Sequence, residues 1–283
     1  MRIKANGINI HYEVDGAADA PWLVFSNSLA TDLTMWDEQA AYFSKTYRVL
    51  RYDQRGHGRS DAPAQRYSFA TLIADVLALM NELRIERANF CGLSMGGATV
   101  MGLAQSNPGR VERAIICDSP CASTQASARQ WEERIAIARA QGMTALADST
   151  IARWFPAETV AANPAYLTKI RQMILMTPVN GFIGCAAALA DHDFCRSVRT
   201  LTRPVLFLAG EKDGTTPAAM RQMQSALAGS RFAEIPGAGH ICNLERPDMF
   251  NRAIDDFLRS DEQSAPNEIP GRDFILTQEK RVK

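Results

Sequence analysis

The stretch Cys91-Gly92-Leu93-Ser94-Met95-Gly96-Gly97 restricts this chain more than any other. The apolar run Ala88-Asn89-Phe90-Cys91 enters it as a short strand, and a small-residue run from Gly97 to Gln105 leaves it as a helix. Between them stands Gly92-Leu93-Ser94-Met95-Gly96, the G-x-S-x-G spacing of a nucleophile elbow. In such a turn the serine backbone is strained and strand and helix pass close together, so the flanking positions must lack side chains. The Ser94 hydroxyl then stands at a sheet edge and a helix N-terminus, where N–H groups favour developing negative charge. A serine between glycines also occurs in ordinary turns; the strand before it and the helix after it separate the two readings.

The segments around the elbow alternate in the same way. Residues 1–15 alternate polar and apolar about Asn6-Gly7, the pattern of a hairpin. Trp22–Phe25 is a continuous apolar run, hence a buried strand, and Tyr47–Asp53 is another. Phe69, Leu72, Ile73, Val76, Met80 and Leu83 fall on helical spacing. A strand at 113–117 follows the elbow. This order predicts an α/β fold with a mostly parallel, doubly wound sheet, whose ligands bind beyond the carboxyl ends of the strands. The Ser26–Thr31 loop, the elbow and Asp118 then share one rim. From 122 to 197 strand patterns vanish and helical stretches rich in Ala, Arg and Met appear, broken at Pro156, Pro164 and Pro178. That texture predicts a helical cap, with residues 1–121 and 198–260 forming the core. Its Met and Trp residues read first as packing. Residues 261–283, polar and carrying Pro266 and Pro270, read as an exposed tail.

Lys+Arg and Asp+Glu both number 31, so bulk charge points to neither a nucleic-acid nor an anionic-membrane partner. The six cysteines contain no C-x-x-C pair, and several lie in apolar runs, which suits reduced, buried thiols. The N-terminal residues lack an apolar signal core, and no run approaches a membrane span. These features predict a cytoplasmic protein.

A serine hydroxyl needs a base to take its proton, and the base needs an acid to hold it in one tautomer. Ser94, Asp213 and His240 occur in the chain order of α/β-hydrolase triads, each partner in a loop after a predicted strand. Of the four histidines, His11 sits in the first hairpin, His192 in the cap, and His57 in a glycine turn that favours a structural role. His240, preceded by Gly239 and followed by a helix, is the candidate base. Asp118 is a second place from which the acid could come, but Asp213 is preferred. The Met95 and Leu29 N–H groups, by position, form the oxyanion hole. No metal-ligand cluster and no phosphate-cradling glycine loop stands out, so neither metal nor cofactor is expected.

Several stretches resemble the 3-oxoadipate enol-lactonases. They are Ser26-Asn27-Ser28-Leu29-Ala30-Thr31-Asp32 with Met35-Trp36, the run from Arg51 to Ser60, the elbow, the cap segments Gln130–Arg134 and Ala152–Phe155, and Gly239–Pro247. The likeness covers nearly all of residues 1–260. It implies an α/β-hydrolase fold and hydrolysis of a small anionic enol-lactone through an acyl-enzyme, without a cofactor. It further implies that Trp131, Arg134 and Trp154 close the pocket around the substrate carboxylate, with Ser28 also at the substrate. The chain departs from the family at Asp118-Ser119-Pro120, where Asn-Thr-Ala is usual, and at Ala30, which replaces a glycine. An ionised Asp118 on the rim would repel an anionic substrate. Other readings stay open: another lactone or ester, a carbon–carbon bond hydrolase, a cofactor-free perhydrolase, a general carboxylesterase, or a receptor that binds without turnover.

Overall fold

The computed structural model describes residues 1–260; the polar tail expected at 261–283 lies outside them. The chain opens with β1 (Arg2–Ala5) and β2 (Ile8–Asp15), an antiparallel hairpin. Asn6 and Gly7 turn it with φ of +46° and +78°, the left-handed pair that matches strand twist. Next come β3 (Trp22–Ser26), a single 3-10 turn at Leu33–Trp36, α1 (Asp37–Phe43), β4 (Arg48–Tyr52) and α2 (Phe69–Glu82). Then β5 (Ala88–Leu93), α3 (Met95–Ser106) and β6 (Val111–Cys117) complete the first half of the sheet.

Six helices follow before the sheet resumes: α4 (Gln125–Gln141), α5 (Thr144–Trp154), α6 (Ala157–Ala162), α7 (Ala165–Met176), α8 (Val179–Asp191) and α9 (Cys195–Val198). The chain returns through β7 (Val205–Gly210), α10 (Thr216–Ala226), β8 (Arg231–Ile235), α11 (Cys242–Glu245) and α12 (Pro247–Arg259).

The eight strands lie in the order β1-β2-β4-β3-β5-β6-β7-β8. The hairpin joins β4 antiparallel, and every pairing from β4 to β8 is parallel. All of β5 and β7 is buried, as expected of strands covered by helices on both faces. Because β4 lies on one side of β3 and β5 on the other, the connections diverge between β3 and β5. That divergence opens a crevice at the carboxyl ends of these two strands.

The helices are held by matching local features. Ser68 caps α2 by accepting from the Thr71 N–H at 3.2 Å, and its apolar face buries Phe69, Leu72, Val76, Leu79 and Met80. In the cap, α8 is buried from Gly184 to Ala190 and packs along α4. Gly181 of α8 meets Gly56 backbone to backbone; a Cβ on either would strike the other. Arg55, beside that contact, grips Asp75 of α2 through Nε (2.7 Å) and Nη2 (2.6 Å), a buried bidentate pair. The cap is thereby seated on the turn after β4. No single helix among the described residues is long and apolar enough to cross a membrane.

The structure corrects the reading of the cysteines. Cys91, Cys117, Cys185 and Cys242 are free and buried, but Cys121 and Cys195 form a disulfide with Cα atoms 4.9 Å apart. They are 74 positions apart in sequence, so a search for close spacing could not pair them. The cap leaves and re-enters the core at one place, where Phe194 N–H donates to the Cys121 carbonyl at 2.7 Å and Ser123 N–H to that of His192 at 3.0 Å. The bridge closes a long loop whose ends these hydrogen bonds already hold. Its loss therefore destabilises less than chain entropy alone gives for such a loop, roughly 4 kcal/mol. Cys121→Ala/Cys195→Ala is expected to destabilise by about 1–3 kcal/mol, lowering the Tm by several degrees. Thermal melts with and without reductant check this: reductant shifts the parent melt and leaves the double variant unchanged.

Candidate active site

Ser94 sits between β5 and α3 with φ +57° and ψ −115°. The strain is held from both sides: Ser94 N–H donates to the Cys117 carbonyl at 2.8 Å, and Ala98 N–H donates to the Ser94 carbonyl at 3.0 Å. A Cβ at Gly92 would run into the Gly96 carbonyl, and one at Gly96 into the Ser26 carbonyl of β3. Only glycine allows this turn against its neighbouring strand, which brings Ser94 to the crevice between β3 and β5.

Around it lies a cavity of about 290 Å³ lined by Ser94, Asp213 and His240 from the core and Trp131, Arg153 and Trp154 from the cap. His240 Nδ1 stands 2.8 Å from Asp213 Oδ2. With Asp213 ionised, that contact places the imidazole proton on Nδ1 and leaves Nε2 as a base. Burial alone would raise the Asp213 pKa, but the His240 imidazole, together with hydrogen bonds involving Thr216 and Asp118, outweighs it and the net direction is down. The histidine loop rests on the cap: His240 N–H donates to the Trp154 carbonyl at 2.8 Å, and the two rings stack with centroids 6.0 Å apart. Glu245 steadies the same loop by accepting from Gly239 N–H at 2.6 Å.

Leu29 also lines the cavity, and Met95 begins α3. Among the described residues neither of their N–H groups has an acceptor in the chain, so both are free to bind an oxyanion. Ala30 follows in the left-handed region, φ +57°, and its N–H donates to His57 Nε2 at 2.8 Å. His57 Nδ1 lies 3.2 Å from the Arg55 carbonyl, which assigns the proton to Nδ1 and the lone pair to Nε2. Complete burial lowers the His57 pKa from 6.5 to about 4, so the ring stays a neutral acceptor. The histidine of the glycine turn thus supports the Ser26–Thr31 loop, a contact its sequence context did not reveal.

The residues expected at the substrate separate. Trp131 and Trp154 are on the cavity wall. Ser28 is fully buried beneath its loop, its N–H directed at Met35 Sδ (3.4 Å), and is not part of the lining. Arg134 is not part of it either: Nη2 donates to Thr150 Oγ1 at 2.5 Å, and its guanidinium carbon lies 5.8 Å from the Trp131 ring and 6.0 Å from Phe182. The arginine that lines the cavity is Arg153, its guanidinium carbon 5.0 Å from the Trp131 ring. Arg153 is open to solvent along the cavity, so its lost hydration is that of a concave wall rather than a dry interior. Even so, desolvation lowers its pKa more than the nearby Asp213 carboxylate raises it. Desolvation, and then the charge of Arg153, bring the Arg134 pKa down to about 10. Among the described residues neither arginine pairs with a carboxylate. Both were visible in sequence, but helical position alone does not tell which side chain reaches a cavity.

Asp118 borders the cavity, as expected of the rim, but is buried. It is 1% exposed at the end of β6, with φ +45°. Its Oδ1 accepts from Gly210 N–H at 2.8 Å and its Oδ2 from the Cys242 thiol at 3.0 Å. One ligand atom from each of Asp118, Asp213 and His240 lies within 4.8 Å of the others. Two unit charges at such a separation repel by about 3–4 kcal/mol at an effective dielectric of about 20. Burial first, and the Asp213 carboxylate second, push the Asp118 pKa well above the usual carboxylate range. Both effects favour the protonated form, which weakens the repulsion that an ionised Asp118 would exert on an anion.

The alpha/beta hydrolase fold family matches residues 21–247. The "3-oxoadipate enol-lactonase 2" of Acinetobacter baylyi is 35% identical over 257 residues, 91% of this chain and 96% of that protein. The enol-lactonase crystal structure from Burkholderia xenovorans superposes with a TM-score of 0.88 at 42% identity, covering 91% of this chain and 99% of that one. The chain belongs to the 3-oxoadipate enol-lactonase family of α/β-hydrolases. This enol-lactonase-family member is accordingly an enzyme acting on carboxylic ester bonds. A malate-bound thermophilic esterase from Thermogutta terrifontis is also similar, with a TM-score of 0.87 at 28% identity over 92% of this chain and 98% of that one.

A fluorophosphonate is expected to add once, at Ser94, with peptide mass spectrometry locating the adduct. Asp213→Asn is expected to lower kcat by about 10⁴, by analogy with the serine-protease triad. Full turnover by Ser94→Ala would remove Ser94 from this role.

His57 binds fewer protons in the folded chain than in the unfolded one between about pH 6.5 and 4, so stability drops as the pH falls through that window. The contribution is about 3 kcal/mol, at about 1.4 kcal/mol per unit of pKa difference. Urea midpoints at pH 7 and pH 4 are expected to converge in His57→Gln relative to the parent; equal slopes in both proteins refute the assignment.

Proposed function

We propose that this hydrolase opens a small enol-lactone that carries a carboxylate, by way of a Ser94 acyl-enzyme. The observation that carries this reading is Arg153, an arginine without an acidic partner among the described residues, in the cavity that also holds Ser94 and His240. A planar guanidinium beside an indole face suits a carboxylate, which it binds through two parallel hydrogen bonds. The second free cation, Arg134, adds positive potential behind Trp131. The volume of about 290 Å³ is at the small end of ligand pockets and fits a single ring with a short side arm. The malate-bound relative is consistent with a small carboxylate ligand in this family of folds.

In this reading His240 Nε2 takes the Ser94 proton as Oγ attacks the lactone carbonyl, and the Leu29 and Met95 N–H groups bind the resulting oxyanion. Collapse of the intermediate breaks the ring C–O bond. The enol oxygen leaves with the proton from His240 and tautomerises to a ketone. Water, deprotonated by His240, then attacks the acyl carbon and releases a carboxylate and Ser94. The ring opens while its acyl half stays covalently bound, so the carboxylate contact to Arg153 holds the substrate through both steps.

Arg153→Ala is expected to lower kcat/KM for an anionic enol-lactone by about 10- to 150-fold, the equivalent of about 1.5–3 kcal/mol for a charged hydrogen bond, and to change a neutral ester of similar size by less than about 3-fold. Arg134→Ala is expected to lose less. Equal losses on both substrates would make Arg153 a structural residue. Turnover of a dienoate ketone in preference to the lactone, or a rate that requires hydrogen peroxide, would overturn the lactone assignment.

A further inference from the structure

Asp118 is a buried carboxyl group beside the site that the chemistry above does not use. We propose that Asp118 is a positioning residue: it is a neutral carboxylic acid that shares the buried space behind the site with Asp213, so that the acid pair carries one negative charge and that charge is aimed at His240. The proposal rests on the reading of Asp213 and His240 as acid and base.

The two carboxyl groups have different partners. Asp213 faces the His240 imidazole at 2.8 Å, and Arg153 lends it positive potential. Asp118 faces no cation. Its donors are one peptide N–H, from Gly210 at the end of β7, and one thiol, Cys242 at the start of α11. A thiol is a weak donor, and burial holds the Cys242 thiol in its protonated form. The other titratable groups around Asp118 are the thiol of Cys117 just before it, the carboxylate of Asp213, and the His240 imidazole, with a ring nitrogen within 4.8 Å but no hydrogen bond to Asp118. A fully desolvated carboxylate with one strong donor, one weak donor and a like charge nearby is undersatisfied. The same group with a proton is not: it keeps both acceptor contacts and has a hydrogen to offer. One proton for two carboxyls therefore belongs on Asp118.

The neutral acid has the shape and hydrogen-bonding capacity of an asparagine side chain, with a donor on one arm and an acceptor on the other. That equivalence explains how an acid occupies this place without spoiling a negative charge a few ångströms away. It also separates the role from ordinary packing, because the role depends on charge state and donor capacity rather than on volume.

The experiment compares the parent with Asp118→Asn and Asp118→Ala in the full chain. Difference infrared spectra at neutral pH are expected to show the carbonyl stretch of a protonated carboxylic acid in the parent and its loss in Asp118→Asn. In steady-state assays on an enol-lactone, Asp118→Ala is expected to lower kcat by about 10- to 100-fold with little change in KM, and Asp118→Asn to restore most of that loss. Absence of the protonated-acid band from the parent overturns the proposal. So does an Asp118→Asn enzyme as impaired as Asp118→Ala, since it would show that a negative charge is needed there. Should Asp118→Ala fail to fold, the infrared comparison of the two folded proteins still decides. Asp213→Asn serves as the control on the underlying reading: if it keeps full activity, the acid assignment fails, whereas its loss together with an unchanged parent and Asp118→Asn spectrum defeats only the proposal for Asp118.

Discussion

The molecule depends on one steric constraint, the passage of α3 against β3 and β5 with no side chain between them. Gly92 and Gly96 leave room for the Gly96 and Ser26 carbonyls, and that contact forces Ser94 into the left-handed region. A non-glycine residue there is strained by about 1–3 kcal/mol and persists only where its surroundings fix it. They do so here through the Cys117 carbonyl on β6 and the first turn of α3. The same approach sets the Ser26–Thr31 loop beside the serine, so the Ser94 hydroxyl and the unpaired Leu29 and Met95 N–H groups are brought together by one packing contact. Ala30 carries a second left-handed backbone in that loop, and buried His57 holds it in place.

Core and cap are coupled at the base rather than merely stacked. The peptide after Trp154 supplies the carbonyl that fixes His240 N–H, and the Trp154 ring covers the imidazole. Movement of α5 therefore moves the histidine. Three further ties resist such movement: the Gly56–Gly181 backbone contact, the Cys121–Cys195 bridge, and Lys169 of α7, which reaches the Thr34 carbonyl at 2.7 Å and Asp37 at 2.6 Å. Together they keep the cap close enough for Trp131 and Arg153 to form a wall of the cavity.

Charge is distributed unevenly around that cavity. On the core side, one of two neighbouring carboxyls holds the imidazole: burial raises the pKa of both, but contact with His240 brings that of Asp213 down. On the cap side stand two arginines with no acid to pair them among the described residues. The cap side of the cavity therefore carries positive potential, and the core side carries the carboxyls.

By itself the sequence determined the elements whose causes are local. Hydrophobic period separated strand from helix, Asn6-Gly7 specified the hairpin, and G-x-S-x-G with its flanks specified the turn at Ser94. Chain order then singled out Asp213 and His240, which the structure brings to 2.8 Å. Only the tertiary structure decided features that join distant positions or depend on burial. Cys121 meets Cys195 because the cap starts and ends at one point on the core, which no spacing encodes. Asp118 and Asp213 differ because β7 and α11 bury the first while the second meets His240; as letters they are the same residue at two strand ends. Arg153 of α5 lines the cavity and Arg134 does not, because Arg134, on the same helix as Trp131, turns to Thr150 of α5 and Phe182 of α8. Periodicity reports which face of a helix is apolar. Which polar side chain on that helix finds a ligand is set by the position of a second element, and that position exists only once the chain has folded.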